Sequence, residues 1–491
     1  MLAMTRTMSL TCLKQWHVTS TSFSAKSFCS APQSATGLRV CVVGSGPAGF
    51  YTTDRLFKAY GQHISVDLLD RLPTPFGLVR SGVAPDHPDT KNVINQFMEV
   101  ASDHRCNFLG NVTVGKDVAL STLQQLYHAV VLAYGAEGNK QLQIPGQKLA
   151  GVLSAREFVW WYNGHPEYAN LPLDLSKIQS VAICGLGNVA VDCARILLQL
   201  PERLASTDIA EHALQQLKSS SVKEVHLIGR RGPVQAAFTP KELREMLSMA
   251  GVSIHIAPEM MKVTPVDEAE MKATRMKRRV YDILSKAAQK PADRKQARQL
   301  HLHFLRSPRA VKDSGSGHVA GLELETNALQ TSSDQTSQTA VGTGQMQSVA
   351  AQLVLESIGY KSHPIEGAPF DDKHGIIPNK LGKVVQAKDS HDHIPGLYVC
   401  GWVKRGPSGI IGTNLWDAQQ TVDSIIEDFP PGAVAQLSQK SQTLQSHLNK
   451  QRVVNYQDYC KIAKYEVEQG HKCGKPREKI TDVGKMLQIA Q

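Results

Sequence analysis

The sequence predicts an α/β protein made of two parallel-sheet units, each opening with the same strand–turn–helix signature. Three observations carry this prediction. "LRVCVVGSGPAGFYTTDRLFKAY" and "IQSVAICGLGNVAVDCARILLQL" are both apolar runs that break into glycines and resume with helical spacing. Further apolar runs bounded by glycine ("HISVDLLD", "YHAVVLAYGAE", "VKEVHLIGRRG", "AQLVLESIGY", "GLYVCGWVKRG") alternate with helical segments, the pattern of buried parallel strands. The length of 491 residues exceeds what one hydrophobic core ordinarily organises, so more than one domain is expected.

The first turn reads G-x-G-x-x-G at Gly44, Gly46 and Gly49. The first glycine permits the tight turn, the second lets a pyrophosphate approach the backbone, and the third lets the helix pack on the strand. The phosphate then sits at the positive end of the following helix. Asp70 ends the next strand, 26 positions after Gly44. A carboxylate there can accept hydrogen bonds from ribose hydroxyls; the plain alternative is a surface acid at a strand end. The second turn reads G-x-G-x-x-A at Gly185, Gly187 and Ala190. The strand that follows it ends in Gly229, Arg230 and Arg231, where an NAD site would place an acid. Paired guanidiniums suit a 2′-phosphate, so this second Rossmann-like site is expected to select NADP. An acid after one turn and arginines after the other imply FAD at the first and NADPH at the second, with hydride passing between them.

The rest of the composition narrows the class. The nine cysteines show no C-x-x-C or C-x4-C spacing, which argues against zinc ribbons, ferredoxin-type clusters and a redox disulfide of those kinds. No metal is expected. Cys41, Cys184 and Cys400 lie in apolar runs and read as packed small hydrophobes. The odd count fits a reducing compartment. The first 37 residues hold Arg6, Lys14 and Lys26, are rich in Ser and Thr, and precede the first acid of the chain, Asp54. That is transit-peptide composition, the alternative being a featureless tail. No run is long and apolar enough to span a membrane, which leaves surface association open. The net charge of +10 fits either plain solubility or an acidic partner. Residues 326–346 are rich in Ser, Thr and Gln and read as an exposed loop, and residues 431–450 as a polar surface segment.

Five longer blocks, "RLPTPFGLVRSGVAPDHPDTKNVINQF", "GNVAVDCARILL", "IGRRGPVQAAFTPKELREM", "SIGYKSHP" and "CGWVKRGPSGIIGTN", occur in one order and closely resemble the adrenodoxin reductase family, the mitochondrial NADPH–ferredoxin reductases. The resemblance runs from about Leu38 to the C-terminal "GKPREK". It implies an NADP domain inserted into an FAD domain: transit peptide 1–37, FAD domain 38–139 and 364–491, NADP domain 140–363. It implies FAD contacts from Gly44, Gly46, Ala48, Gly49, Asp70, Leu78, Val114, Trp402, Gly409, Ile410 and Ile411. It assigns the NADP site to Gly185, Leu186, Gly187, Asn188, Val189, Arg230, Arg231, Glu242 and Gly409. His87 and Asp192 match a His–Asp pair near electron exit, and either residue could instead be structural. The chain departs from the family pattern at Asp70 (usually Glu), Ser81 (often Phe) and Leu186 (commonly Gln).

Between Met271 and Arg309 lie twelve Lys or Arg and two acids. Arg275 and Arg279 are one helical turn apart, with Arg278 on the same flank. No aromatic interleaving or nucleic-acid motif accompanies them, and the resemblance points to an acidic [2Fe–2S] ferredoxin (adrenodoxin) as the docked partner. It further implies electron delivery to mitochondrial cytochromes P450 and iron–sulfur cluster assembly, in the matrix or peripherally on the inner membrane. Two rival readings follow from the residues. A reductase like the small subunit of glutamate synthase would carry cysteine-rich cluster sites, and none is visible. A flavin-fold interaction protein without turnover has only Leu186 and the altered "GTNLWD" in its favour.

Overall fold

The computed structural model describes residues 37–491 except 294–295, 334–336, 388–389, 391, 437–439, 441 and 449–451. Apart from Gly37, the expected transit peptide lies outside the described residues. Leu38–Val43 pairs in parallel with Ile64–Leu69 on one side and Ala129–Leu132 on the other. Cys106–Leu109 extends this sheet beyond Ile64–Leu69. His393–Val399, from far along the chain, joins in parallel beside Ala129–Leu132, and Lys383–Val385 and Asn379–Lys380 close that edge antiparallel. The central strands are buried on both faces, which is why they read as continuous Val/Leu/Ala runs rather than alternating ones.

The second sheet has six parallel strands in the spatial order Val152–Ser154, Leu353–Glu356, Ser180–Cys184, Glu224–Ile228, Arg298–His303, Val252–Ile256. All of them fall between Ala129–Leu132 and Asn379–Lys380, so the second unit is inserted into the first, as predicted. The two chain crossings run side by side, Gly138–Asn139 pairing antiparallel with Tyr360–Lys361.

Residues 326–346 differ from expectation. Instead of a loop they form most of a hairpin, Val319–Thr331 against Gln338–Ala350, laid on Arg306–Asp313. Leu322 and Leu324 anchor it against Val311. The outer strand is exposed along most of its length, so its polar Thr and Gln side chains cost nothing there, while its backbone is satisfied by the ladder. Polar composition therefore mimicked a loop. The segment 431–450 is likewise not wholly superficial, since Val434, Leu444 and Leu448 are buried.

Buried ion pairs bind the C-terminal segment to both units. Lys475 Nζ lies 2.6 Å from Glu211 and 2.7 Å from Glu478, and Asp208 takes Lys91 at 2.6 Å and Lys479 at 3.1 Å. Burial lowers the Lys479 ammonium to about 7, Asp208 opposing it. Arg80 donates to Glu466 at 2.9 and 2.5 Å, tying the "FGLVR" segment to the helix Tyr456–Lys472. Glu466 is fully buried and also accepts the Ile480 amide at 2.9 Å. Burial opposes its ionisation, but Arg80 and Arg477 hold its carboxyl below the ordinary value. Removing one partner of such a pair strands the other charge, at a cost of about 3–5 kcal/mol. Glu466→Gln should therefore lower the midpoint of the first urea transition of the holoenzyme by that equivalent; a change within ~0.5 kcal/mol would mean the pair adds nothing.

Candidate active site

Each glycine turn is shaped by what its backbone must pass. Gly44 sits at φ +108°, and a Cβ there would lie 2.6 Å from the Ala133 carbonyl oxygen. A Cβ on Gly49 would fall 1.9 Å from the Gly44 carbonyl oxygen, so the helix can touch the turn only because Gly49 has none. Gly46 is the opposite case: a Cβ there would meet nothing within 4 Å. It is the N-cap of the helix Pro47–Tyr60, which has no side-chain cap and no acid in its first turn. The unsatisfied amides and positive helix end thus face open space, the arrangement a pyrophosphate needs.

The walls of this first site converge from distant segments. Phe76, at φ +85°, donates its amide to the Ser45 carbonyl at 2.9 Å. Gly77 follows at φ +49°, where a Cβ would lie 2.9 Å from Gly46 Cα, so the short helix Leu78–Ser81 starts against the phosphate turn. Gly401 passes close over the helix, its Cβ position 2.5 Å from that of Ala48, and delivers Trp402. The Trp402 ring stacks on Tyr360 at 5.9 Å, and its Nε1 is buried without a hydrogen-bond partner among the described residues. Gly409 adopts φ +82°, Ile410 is 68% exposed, and Ile411 packs on the core. Val114 is half-buried against the opposite cluster. Open cradle, orphaned indole N–H and uncovered isoleucine together fit an FAD.

Asp70 is placed differently from a free ribose acceptor. It is half-buried, and its oxygens accept the Ser45 amide at 3.0 Å, the Ser45 hydroxyl at 2.5 Å and the Leu72 amide at 3.0 Å. It ties the strand end to the glycine turn, and burial raises its pKa despite these donors.

The second turn repeats the design. Gly185, at φ +141°, passes the Ser357 carbonyl, and Gly187 again has nothing within 4 Å of a Cβ position. It caps Asn188–Leu198 without a side-chain bond. Leu186 packs under Gly229, where a Cβ would be 2.1 Å from Leu186 Cδ1. Asn188 Oδ1 accepts the Thr239 amide at 2.9 Å, and Val189 packs against the core. Arg230 and Arg231 are exposed on a loop whose carbonyls are pinned by Arg306, Asn327 and Leu305 at 2.8–3.0 Å. Neither guanidinium has a carboxylate partner among the described residues.

Between the turns lies a charged cluster centred on Arg195, which is fully buried. It grips Asp86 with two bonds, at 2.6 and 2.9 Å, and lies 2.9 Å from Asp192 and 3.5 Å from Glu242. The contact with Asp192 is close but not aligned for a hydrogen bond. Burial pushes Asp192 up to about 6, Arg195 notwithstanding. Burial would also raise Asp86, but the two Arg195 bonds hold it below the ordinary value. His87 approaches Asp192 and Glu242, donor atoms of all three lying within 4.8 Å of one another. Its bonded partner, however, is Glu245 at 2.9 Å. Glu242 thus belongs to this cluster, at the start of the helix Pro240–Leu247. Sequence reading missed Asp86, Arg195 and Glu245; an arginine on the apolar face of a helix was the available signal for Arg195.

Arg275, Arg278 and Arg279 are exposed on the helix Arg275–Ala288, which begins at Arg275 after a break at Thr274. Arg278 pairs with Asp282 at 3.1 Å, while Arg275 and Arg279 have no carboxylate partner among the described residues. Basic residues crowd the positive end of this helix, and no acid offsets them in its first turn, an arrangement that costs stability. Among the described residues no helix is long and apolar enough to cross a membrane.

Two uncapped glycine turns in one chain, one followed by a carboxylate and the other by free arginines, define a two-site dinucleotide oxidoreductase. The pyridine nucleotide-disulphide oxidoreductase family model matches residues 38–287. The mitochondrial NADPH:adrenodoxin oxidoreductase of Arabidopsis thaliana is 52% identical over 468 residues, covering 93% of this chain and 96% of its own. The Homo sapiens protein of that name is 45% identical, covering 92% and 91%. A solved structure, Mycobacterium tuberculosis FprA in complex with NADPH, superposes with a TM-score of 0.85 at 38% identity, over 92% of this chain and 99% of its own. The chain belongs to the adrenodoxin reductase family of FAD-dependent, NADPH-using oxidoreductases.

Gly46→Val should fold, since the protein itself leaves that space open, yet lose the flavin whose phosphates need it. A folded variant with full flavin absorbance would show that the first turn does not hold FAD.

Proposed function

We propose that this protein oxidises NADPH and passes the electrons one at a time to an acidic [2Fe–2S] ferredoxin. The observation that carries the reading is the pair of uncapped glycine turns, the second ending in the unpaired Arg230 and Arg231. Bound FAD supplies the conversion from a hydride to single electrons. The chain's own residues orient and shield. Gly44, Gly46 and Gly49 seat the FAD pyrophosphate, and the Leu78 turn, Val114, Trp402 and the Gly409–Ile411 loop enclose the rest of it. Gly185, Gly187, Asn188 and Val189 seat the second pyrophosphate, with Arg230 and Arg231 clamping the 2′-phosphate. Arg195, gripping Asp86 of one unit from a helix of the other, sets the spacing of the two sites, and orientation is the main source of rate in such transfers. Glu242, His87 and Asp192 sit where a cluster of exchangeable protons borders the cleft.

The ferredoxin docks on Arg275, Arg278 and Arg279. Arg275 and Arg279, without a carboxylate partner among the described residues, lie at the positive end of a helix, a surface whose charge favours an acidic partner more than the fold's own stability. The names of the relatives support this choice of partner. Downstream service to cytochromes P450 and to cluster assembly, a matrix location with peripheral inner-membrane association, and the boundaries 38–139, 140–363 and 364–491 are parts of the same proposal.

Converting Arg230 and Arg231 to Leu should weaken NADPH far more than NADH. A charge-assisted bond is worth roughly 1.5–3 kcal/mol, so each arginine contributes about ten-fold or more. Equal losses for the two nucleotides in steady-state kinetics would remove the 2′-phosphate from this site. Reversing Arg275 and Arg279 to Glu should raise the ferredoxin concentration needed for half-maximal rate and flatten its dependence on salt. NADPH–ferricyanide turnover, which needs no docked protein, should stay unchanged. A parallel fall in both activities would make the patch structural, and no change in either would move docking elsewhere.

A further inference from the structure

Away from the cleft, the second sheet carries four histidines on one face. His301 is in register with His226 on one neighbouring strand and with His255 on the other. The three rings stack in a row, 4.6 Å apart for His226–His301 and 4.4 Å for His301–His255. His303, two residues beyond His301, shares the face, and so does Glu224, two residues before His226. None of these side chains belongs to either dinucleotide turn. Nor does packing account for them, since interior positions of a parallel sheet take Val, Ile and Leu, and buried polar atoms without partners cost stability.

The hydrogen bonding of the group is specific. His226 Nδ1 lies 3.1 Å from His303 Nε2. With the proton on His226 Nδ1, the lone pair of His226 is on Nε2, which faces Glu224 Oε2 at 3.7 Å. His301 Nε2 is buried with no hydrogen-bond partner among the described residues. One donor atom each from Glu224, His226 and His301 all lie within 4.8 Å of one another.

We propose that Glu224, His226 and His301 form a binding site for a divalent transition-metal ion, and that Zn2+ is the ion it suits best. Two imidazoles and one carboxylate are a frequent Zn2+ donor set, with water completing the tetrahedron. His303 then plays the outer role usual at such sites, fixing the ring and tautomer of a ligating histidine through its second nitrogen. Two Zn–N bonds of about 2.1 Å at a tetrahedral angle span roughly 3.4 Å. The His226 and His301 rings are stacked with their planes inclined by 21°, so holding one ion between them requires at least one ring to turn out of the stack about its Cβ–Cγ bond. The site opens to solvent at Glu224, whose side chain is 45% exposed, against 10% for His226. A bound ion would cross-link Glu224–Ile228 to Arg298–His303. The first of these strands leads directly into Arg230 and Arg231.

The test uses holoenzyme in a Cys460→Ser/Cys473→Ser background, because these two exposed thiols would bind zinc themselves. After chelation and desalting, the protein is titrated with Zn2+ by calorimetry and with Co2+ by visible absorption. One equivalent should bind with a micromolar or tighter dissociation constant. His301→Ala and Glu224→Gln should each weaken binding by about ten-fold or more, as loss of a ligand does at least as much as loss of an outer-shell partner. His255→Ala, in the stack but outside the donor set, should leave binding intact. NADPH–ferricyanide turnover of the metal-free variants should match the parent. Should His301→Ala not fold, the conservative and half-exposed Glu224→Gln still decides the matter. Failure of the parent to bind one equivalent overturns the site, and so does undiminished binding in Glu224→Gln.

Discussion

The bidentate grip of Arg195 on Asp86 is the contact on which the working geometry depends. Asp86 comes from the loop after "FGLVR" in the first unit, and Arg195 from the helix that starts at the second glycine turn. A fully buried guanidinium is tolerable only when its donors are met, and Asp86, Asp192 and Glu242 surround it. The pair therefore fixes how far one glycine turn stands from the other. Asp208, held by Lys91 and Lys479, and Lys475, held by Glu211 and Glu478, repeat the device nearby. The orientation of the two units is thus specified by charge pairing in a low-dielectric setting, where a mispaired alternative would be expensive.

Within each unit the logic is steric. Gly44, Gly49 and Gly185 are required because backbone approaches backbone closer than a Cβ allows, whereas a Cβ on Gly46 or Gly187 would meet nothing in the protein. Two glycine roles that look alike in a motif are separated by what their Cβ positions would meet. The sequels of the two turns differ in direction. Asp70 turns inward to brace its own turn, and Arg230 and Arg231 turn outward on a loop braced from behind by Asn327, Leu305 and Arg306.

Charge placement divides the same way. Arg195, the arginine of the cluster, is met by carboxylates on several sides. Arg275 and Arg279, at the start of Arg275–Ala288, are exposed, have no carboxylate partner among the described residues and are set against the helix dipole. The ring stack Trp402–Tyr360 continues to Arg156, whose guanidinium lies 4.3 Å over Trp160 and 5.9 Å from the centre of Tyr360. That cation is buried and desolvated, which lowers its pKa, and it keeps its place through ring faces rather than a carboxylate.

Local chemistry made the two turns legible in the sequence, because the glycines of each turn lie within a few residues of one another and the Asp70 and Arg230–Arg231 positions each end the strand that follows. The same holds for the insertion of one sheet in the other, carried by blocks whose order along the chain is diagnostic. Phe76 in a left-handed conformation, the grip of Arg195 on Asp86, and the bond from His87 to Glu245 across 158 residues were not legible. Each depends on a partner that only chain folding brings near. The hairpin at Val319–Ala350 escaped for a related reason. Its outer strand is stabilised by backbone pairing with its neighbour, and exposed side chains leave no apolar periodicity to read. Composition and motif thus placed the two glycine turns and their differing sequels, while tertiary structure decided how the turns face one another, because buried charge pairs and interstrand hydrogen bonds have no sequence-local signature.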